Sequence, residues 1–190
     1  RYGLNLQMIS GIHFNFSFQK SFWESLYKKE KSQIPLQNFI NDKYLHIIRN
    51  FLKDGWILTY LFGASPSIHQ SYIPIIPDQF EKEGDTLNGP WSTSIRMSKY
   101  GYYSRIQNQH TISFNSFDQY LADMKFALRT PKKEYAKIPE QINSNLLQTE
   151  NEHYTRIRPK TIPSGNESPL EAMEQKGIEY LEIRSIDIDP

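Results

Sequence analysis

The sequence predicts an α+β fold with a mainly antiparallel sheet that keeps one polar face. Two segments, 7–18 and 177–188, alternate apolar and polar residues, which is the pattern of strands with one buried face. Between them, residues 41–54 and 115–129 carry apolar residues at helical spacing. Parallel strands covered on both faces would be continuously apolar, and these strands are not. We therefore expect an antiparallel sheet whose polar face is the working surface.

The first strand has one apolar face and one face that carries functional groups. The apolar face holds Ile12, Phe14, Phe16 and Phe18, and the other face holds Gln7, Ile9, Gly11, His13 and Asn15. Because Gly11 has no side chain, it predicts a close approach by a ligand or by another part of the backbone.

The following part of the chain is predicted to contain one long helix between loops. Residues 20–36 are expected to form a surface excursion in which the charged run 28–31 is a solvated turn. The helix begins at Asn41, as N-cap, and ends at Asp54. An apolar stretch, 56–62, follows, and Ser65-Pro66 is a candidate start for a short helix. Residues 73–94 contain three prolines and two glycines and are predicted to be a loop insertion.

The second half of the chain is predicted to end in a helix and a strand. A helix over 115–129 is expected to stop before Thr130-Pro131, followed by an irregular stretch over 135–148. Residues 149–158 resemble a strand. Ser168 and Glu171 form a capping box for a short helix that Gly177 ends, and a final strand runs to residue 188.

Composition excludes several classes of protein. The 190 residues suit one domain or at most two, and 22 Lys and Arg against 21 Asp and Glu give a net charge of +1. A nucleic-acid-binding module, which 14% aromatic residues and scattered arginines would otherwise suggest, usually has a strong basic excess. The absence of cysteine excludes disulfides and Cys-ligated metals. No apolar run approaches the roughly 20 residues that span a bilayer, so neither nucleic acid nor membrane is expected as a partner.

The polar face of the predicted sheet combines an imidazole, carboxylates and guanidinium groups. Glu182 and Arg184 point the same way from the last strand, and alternate residues from Glu150 to Arg158 repeat the theme. With His13, such a face suits Mg²⁺ or Mn²⁺ and the binding of phosphates, which fits phosphoryl transfer from ATP without a Walker-type loop. Solvated surface ion pairs and a structural histidine are the alternative interpretation. Arg96, among serines and threonines, suits a substrate carboxylate or an ordinary loop.

At these residues the chain resembles the bacterial glutamate–cysteine ligase family of the proteobacterial type. The similar stretches follow the family order and cover nearly the whole chain. They are RYG at 1–3, MISGIHFNFS at 8–17, IRN at 48–50, YLFGASP at 60–66, SIRMS at 94–98, EYAKI at 134–138, QINSN at 141–145, ENE at 150–152, Tyr154, IRPK at 157–160 and GIEYLEIRS at 177–185.

The resemblance implies a fold and a reaction. The fold is glutamine-synthetase-like, with a curved, mainly antiparallel sheet and helices packed on its outer side. The reaction joins the glutamate γ-carboxylate to the cysteine amine through an acyl phosphate, with ATP and Mg²⁺ (or Mn²⁺), as the first step of glutathione synthesis in the cytoplasm. Residues 1–190 would then be a single piece of the catalytic domain, truncated at both ends.

The resemblance also implies roles for individual residues. His13 and Glu182 match metal ligands, and Arg184 matches a catalytic arginine near the transferred phosphate. The amino-acid substrate site is matched by Gln7, Ile9, Asn15 and Arg96, and the cysteine pocket by Tyr102 and Tyr154, with Arg96 shared between the two substrates as a second catalytic group.

Three departures from the family pattern leave alternatives open. Lys99 and Tyr100 stand where the family usually has an acidic and an aliphatic residue, and the loop over 72–88 matches poorly. The family's other metal carboxylates lie upstream of Arg1, so residues 1–190 alone are predicted to be inactive. A γ-glutamyl ligase for another amine, or a non-catalytic relative that binds amino acids or nucleotide, are the alternatives.

Overall fold

The main sheet has three antiparallel strands, with the last strand of the chain in its centre. The computed structural model describes residues 10–73, 78–101, 110–139 and 141–188. Strand β1 (Ile12–Phe16) and strand β5 (Ile157–Lys160) both pair with β6 (Tyr180–Ile186), in the order β1-β6-β5. This arrangement confirms the predicted antiparallel α+β fold, and it places β1 and β6 side by side although they are distant in sequence.

The pairing of β1 with β6 contains an irregularity next to the polar residues of interest. Ile12 lies opposite Ile186 and Phe14 lies opposite Ile183, so β6 has one residue more than β1 between these pairs. Beyond this bulge, Asn15 lies opposite Glu182, and on the other side Arg158 also lies opposite Glu182. Directly opposite residues share a face of the sheet, so Asn15, Glu182 and Arg158 are on one face.

Five helices accompany the sheets in the described part of the chain. They are α1 (Lys20–Lys29), α2 (Leu36–Asp54), α3 (Trp56–Phe62), α4 (Phe117–Arg129) and α5 (Pro169–Lys176), and short 3₁₀ turns cover 70–72, 135–137 and 150–152. Helix α4 confirms the prediction for 115–129, with Ser116 as its N-cap. Helix α5 has the predicted capping box, and Gly177 ends it at φ +80°, a conformation that favours glycine. No helix among the described residues is long and apolar enough to cross a membrane.

The core lies between the helices and the apolar face of the main sheet. Tyr44, Leu45 and Ile48 of α2 are buried, as the apolar stripe predicts. They belong to one cluster with Tyr120, Leu121 and Met124 of α4, Leu170 and Met173 of α5, and Ile157 and Leu181 of the sheet. This packing holds the sheet from one side and leaves its polar face available for a site.

The prediction of a surface excursion over 20–36 was wrong for its first half. Residues 20–29 form helix α1, which buries Trp23 against Tyr44, with ring centroids 4.9 Å apart. Aromatic packing of this kind stabilises a helix whose sequence carries mostly polar and charged residues. The charged run 28–31 lies at the exposed C-terminal end of α1, where solvation was expected.

Asn41 does not cap a helix, because α2 begins five residues earlier, at Leu36. Its side chain is buried, and its Oδ1 accepts a hydrogen bond from the Ile178 backbone N–H at 2.9 Å. Asn41 therefore joins α2 to the chain that enters β6. A side-chain oxygen that serves as a cap in one context serves here as a long-range acceptor.

Two further segments differ from their predicted structure. Ser65-Pro66 starts no helix; β2 (Ser67–His69) follows and joins β3 (Glu81–Glu83) and β4 (Thr86–Asn88) in a small antiparallel sheet. The predicted loop over 73–94 therefore contains a hairpin, and its status as an insertion stays a prediction. Residues 149–156 are not a strand, because a 3₁₀ turn at Glu150–Glu152 bends the backbone before β5 begins.

Replacing Asn41 with alanine should destabilise the protein. The change leaves the buried Ile178 N–H without its acceptor, which costs about 1–3 kcal/mol. Asp42→Ala is the matched control, because Asp42 is the exposed neighbour on the same helix. Urea unfolding should show the loss in Asn41→Ala only; equal midpoints for the two variants would contradict the role of Asn41.

Candidate active site

Three side chains that the sequence singled out meet on the polar face of the main sheet. Arg184 Nη1 donates to Glu182 Oε2 at 2.9 Å, and His13 Nδ1 lies 3.6 Å from Glu182 Oε1. The strands explain this arrangement, because Glu182 and Arg184 alternate on β6 and His13 shares its face of β1 with Asn15. The prediction that β1 and β6 contribute to a common polar face is therefore confirmed.

The imidazole of His13 is held neutral by its surroundings. Partial burial lowers the pKa of His13, and the positive charges of Arg184, Arg158 and Arg96 lower it further, against an opposing effect of Glu182. At neutral pH the contact with Glu182 is therefore not an ion pair. A neutral imidazole is the form that binds a metal ion.

Glu182 stays ionised although it is largely shielded from solvent. Burial alone would raise the pKa of this carboxyl, but the hydrogen bond and charge of Arg184, with the charges of Lys160 and Arg158, outweigh burial and lower it. The face therefore presents a carboxylate and a neutral imidazole within a group of arginines. Within the described ranges, no cluster of three or more metal-binding side chains is present, so His13 and Glu182 supply two donors.

Arg158 extends this face toward β5. Its side chain is buried, and Nη2 donates to the Asn151 carbonyl oxygen at 2.9 Å. The alternation of residues 150–158 predicted that Arg158 lies on the polar face of the sheet, but it gave Arg158 no role. Its position opposite Glu182 adds positive charge beside the carboxylate and anchors the 3₁₀ turn to the sheet.

The remaining predicted substrate residues are only partly described. Asn15 is exposed on β1, and Tyr154 is half-buried in the segment before β5. Gln7, Ile9 and Tyr102 lie outside the described residues. The structure thus brings His13, Asn15, Glu182 and Arg184 to one face, while the grouping of the two tyrosines stays a prediction.

Arg96 lies at the edge of the same sheet, where it is buried in an ion pair. Its Nε donates to Asp187 Oδ1 at 2.6 Å, and Nη2 donates to the Ile186 carbonyl oxygen at 2.9 Å. A side-chain carbon at Gly11 would lie 2.5 Å from Arg96 Cζ and 2.5 Å from the Ile186 carbonyl oxygen. The close approach predicted at Gly11 is confirmed, and the approaching groups belong to Arg96 and β6.

Asp187 is a buried residue that the sequence interpretation missed. Its carboxylate accepts from Arg96, from Ser65 Oγ at 2.7 Å and from the Ala64 N–H at 3.0 Å. Burial would raise its pKa, but these donors together lower it. One signal was present in the sequence. By alternation, Asp187 falls on the same face as Leu181 and Ile183, which face the core, and a carboxylate at such a position requires a partner.

A small cavity beside β5 does not enlarge the site. It holds about 30 Å³, roughly the volume of one water molecule, and His153 and Arg158 are among its lining residues. Burial and the charge of Arg158 lower the pKa of His153 to about 3, so this imidazole is neutral. The space is too small for an amino acid or a nucleotide.

The family model described as Glutamate-cysteine ligase matches residues 1–190. The chain belongs to the glutamate–cysteine ligase family. This confirms the resemblance, which rested on stretches distributed along the whole chain.

Individual relatives agree with this membership. Glutamate–cysteine ligases of Aliivibrio salmonicida and Leptospira interrogans are 44% and 46% identical over the full chain, which covers 38% of each. A crystal structure of the Francisella tularensis enzyme in complex with AMP matches 97% of this chain and 37% of its own, at 34% identity and TM-score 0.87. A bifunctional glutathione synthetase from Pasteurella multocida matches 97% of this chain and 20% of its own, at 27% identity and TM-score 0.67. The chain thus spans about two fifths of the length of the curated relatives.

Asp187→Asn should destabilise the protein strongly. Removing the carboxylate charge leaves the buried guanidinium of Arg96 unbalanced, which costs about 3–5 kcal/mol. The matched control is Glu30→Gln, which breaks the solvent-accessible Lys43–Glu30 pair and should cost at most about 1 kcal/mol. Denaturant unfolding distinguishes the two variants, and a similar loss in both would refute the structural weight given to Asp187.

The difference in stability between the protein and Asp187→Asn should depend on pH. The pKa of Asp187 is lower in the folded protein than in the unfolded chain, where it is about 3.9. The contribution of the charge is therefore complete above that unfolded value and disappears as pH falls through the folded pKa. Unfolding measured at a series of acidic pH values should show the two stabilities converging; a constant difference would contradict this.

Proposed function

We propose that the full-length protein joins the γ-carboxylate of glutamate to the amine of cysteine in an ATP-dependent reaction, the first step of glutathione synthesis, in the cytoplasm. The observation that carries the proposal is the His13–Glu182–Arg184 group on the polar face of a chain that matches the ligase family over every residue. The AMP bound to the Francisella tularensis relative supports a nucleotide substrate.

The chemistry has two steps. The γ-carboxylate attacks the terminal phosphorus of ATP and displaces ADP, which forms an acyl phosphate. The cysteine amine then attacks the acyl carbon, phosphate leaves, and the amine loses a proton. Arg184, beside Glu182 on the polar face, is suited to stabilise the charge on the phosphoryl group as it is transferred.

His13 and Glu182 are suited to bind Mg²⁺ or Mn²⁺. The lowered pKa of each group favours an ionised Glu182 and a neutral His13. The carboxylate is the kind of oxygen ligand that these ions prefer, and the imidazole would add a nitrogen donor. A divalent ion held there would neutralise charge on the phosphates of ATP. Partial burial and the surrounding arginines lower the pKa of His13, which favours the unprotonated imidazole with a free lone pair.

Arg96 combines a structural contact with a role toward substrate. Its Nε and Nη2 are engaged by Asp187 and Ile186, whereas among the described residues Nη1 reaches only the Arg184 carbonyl oxygen, at 3.4 Å. Nη1 is therefore the part of the group with donors left for a substrate carboxylate. Gln7, Ile9 and Asn15, with Tyr102 and Tyr154 for cysteine, complete the proposed substrate residues.

Ligation of glutamate to a different amine is the second candidate function. Lys99 stands at a position that is usually acidic in the family, and its Nζ lies 5.0 Å from the centre of the Tyr100 ring. A positive charge here would disfavour an acceptor with a second cationic group and favour one with an additional carboxylate. The reaction mechanism would be unchanged.

The activity test uses the full-length chain with glutamate, Mg²⁺ and ATP, and measures ADP release with and without cysteine. His13→Ala and Arg184→Ala should each lower cysteine-dependent turnover by about 100-fold or more, because each removes a group that acts on the transferring charge. His46→Ala is the matched control, because His46 is exposed on α2, and it should leave turnover unchanged.

Each other outcome has a defined meaning. Turnover that requires an amine other than cysteine supports the second candidate function. Absence of turnover with every amine, in a folded full-length protein, contradicts the proposal and favours a non-catalytic binding protein. Equal losses in His46→Ala and His13→Ala would remove the assignment of His13.

A further inference from the structure

Helix α3 lies against β6 but has no buried residue. No residue of Trp56–Phe62 is buried, and five large side chains are between 43% and 66% exposed: Trp56, Ile57, Tyr60, Leu61 and Phe62. We call these five residues the α3 face. A seven-residue helix is marginal in water and normally depends on tertiary packing of an apolar side. The large side chains that could supply this packing energy are instead substantially exposed.

The neighbourhood of the α3 face is uncharged and adds further exposed apolar side chains. No Asp, Glu, Lys or Arg occurs between Asp54 and Asp78, although 23% of the chain is charged. The chain next to α3 adds Trp91, which is fully exposed and has a φ of 61°, unusual for a residue with a side chain. Helix α3 packs on β6, and Ile12 and Phe14 of β1, on the edge of the same sheet, are about half exposed. An exposed apolar surface of this extent marks an interface.

We infer that the α3 face is covered, in the full-length protein, by the part of the chain that lies outside residues 1–190. The relatives supply the argument, because the matched region is only 38% of the Aliivibrio salmonicida enzyme and 37% of the Francisella tularensis chain. More than half of such a polypeptide is therefore available to pack on this region. This inference rests on family membership and does not depend on the proposed reaction.

Two other occupants fit the observations less well. Helices that lie on membranes carry Lys and Arg on a polar face, and α3 has neither. A second copy of the protein would have to compete with a segment of the same polypeptide, whose effective concentration is of millimolar order when the connection is short. Covalent connection therefore favours the remainder of the chain.

The test depends on the sign of a stability change in the full-length protein. Leu61→Ala replaces an exposed leucine within a helix by the residue with the best helix propensity, so it should be neutral or slightly stabilising if Leu61 faces water. If the remainder of the chain covers Leu61, the same change creates a cavity and should lower the Tm by several degrees. We expect the lower Tm.

Ile162→Ala is the matched control. Ile162 is 65% exposed, close to the 61% of Leu61, but it lies in the polar loop before α5, where Ser164, Glu167 and Lys176 are hydrogen-bonded to one another. This variant should leave the Tm unchanged. An unchanged Tm in both variants would overturn the inference.

Two further measurements keep the result interpretable if Leu61→Ala fails to fold. In the unmodified full-length protein, the amides of peptide 56–62 should exchange much more slowly than those of the loop 162–166. Equal exchange in the two segments would overturn the inference. Sedimentation at several concentrations tests for a second copy as the occupant. If the protein self-associates and Leu61→Ala both lowers the Tm and dissociates it, the inference is overturned. Hydrogen exchange of peptide 56–62 can also be measured with phosphatidylglycerol vesicles. Exchange that is slowed only when vesicles are present would overturn the inference.

Discussion

The buried ion pair between Arg96 and Asp187 holds the two sheets of this structure together. Arg96 comes from the chain that follows the small sheet, and Asp187 follows directly after β6 of the main sheet. The same carboxylate accepts from Ser65 and Ala64, which precede β2. Both ends of the small-sheet region therefore meet at one carboxylate. Since a buried charge without a partner is costly, the pair favours the placement of the small sheet in which Arg96 reaches Asp187.

The pair also determines how β6 is presented to the candidate site. Arg96 binds the Ile186 carbonyl oxygen at the position where β1 begins, and Gly11 leaves the space for the guanidinium. Beyond this point the bulge shifts the pairing of the two strands by one residue, so that Glu182 lies opposite Asn15. A contact on the edge of the sheet thus supports the placement of His13, Glu182 and Arg184 on its polar face.

The polar face of the main sheet and the α3 face differ in character, since one is charged and the other is apolar and exposed. Arginines surround one carboxylate and one imidazole, an arrangement that attracts anions. The described residues contain no group of three or more metal-binding side chains, and the α3 face is substantially exposed there. Both features are consistent with a chain that spans about two fifths of its relatives.

Local patterns in the sequence determined much of the fold. The period of α4, the capping box at Ser168 and the alternation of β6 each involve residues close together in the chain, so their physical chemistry is readable without a structure. The same alternation brought Glu182 and Arg184 to one face, and family resemblance added His13. The polar surface of α1 concealed its role, because Trp23 packs against Tyr44, a partner that lies 21 residues away in the chain.

Contacts between distant residues were decided only by the tertiary structure. Asn41 has the side chain of a cap, and its actual partner, Ile178, is 137 residues away. The segment 149–156 alternates like a strand, yet it contains a 3₁₀ turn, and the Asn151 carbonyl oxygen in this turn accepts a hydrogen bond from Arg158. The pairing of Arg96 with Asp187 depends on how two sheets pack. The elements with short-range periodicity and the chemical types of the site residues follow from the sequence alone. The partners of buried polar groups follow from packing, because a hydrogen bond or ion pair can be satisfied from any part of the chain.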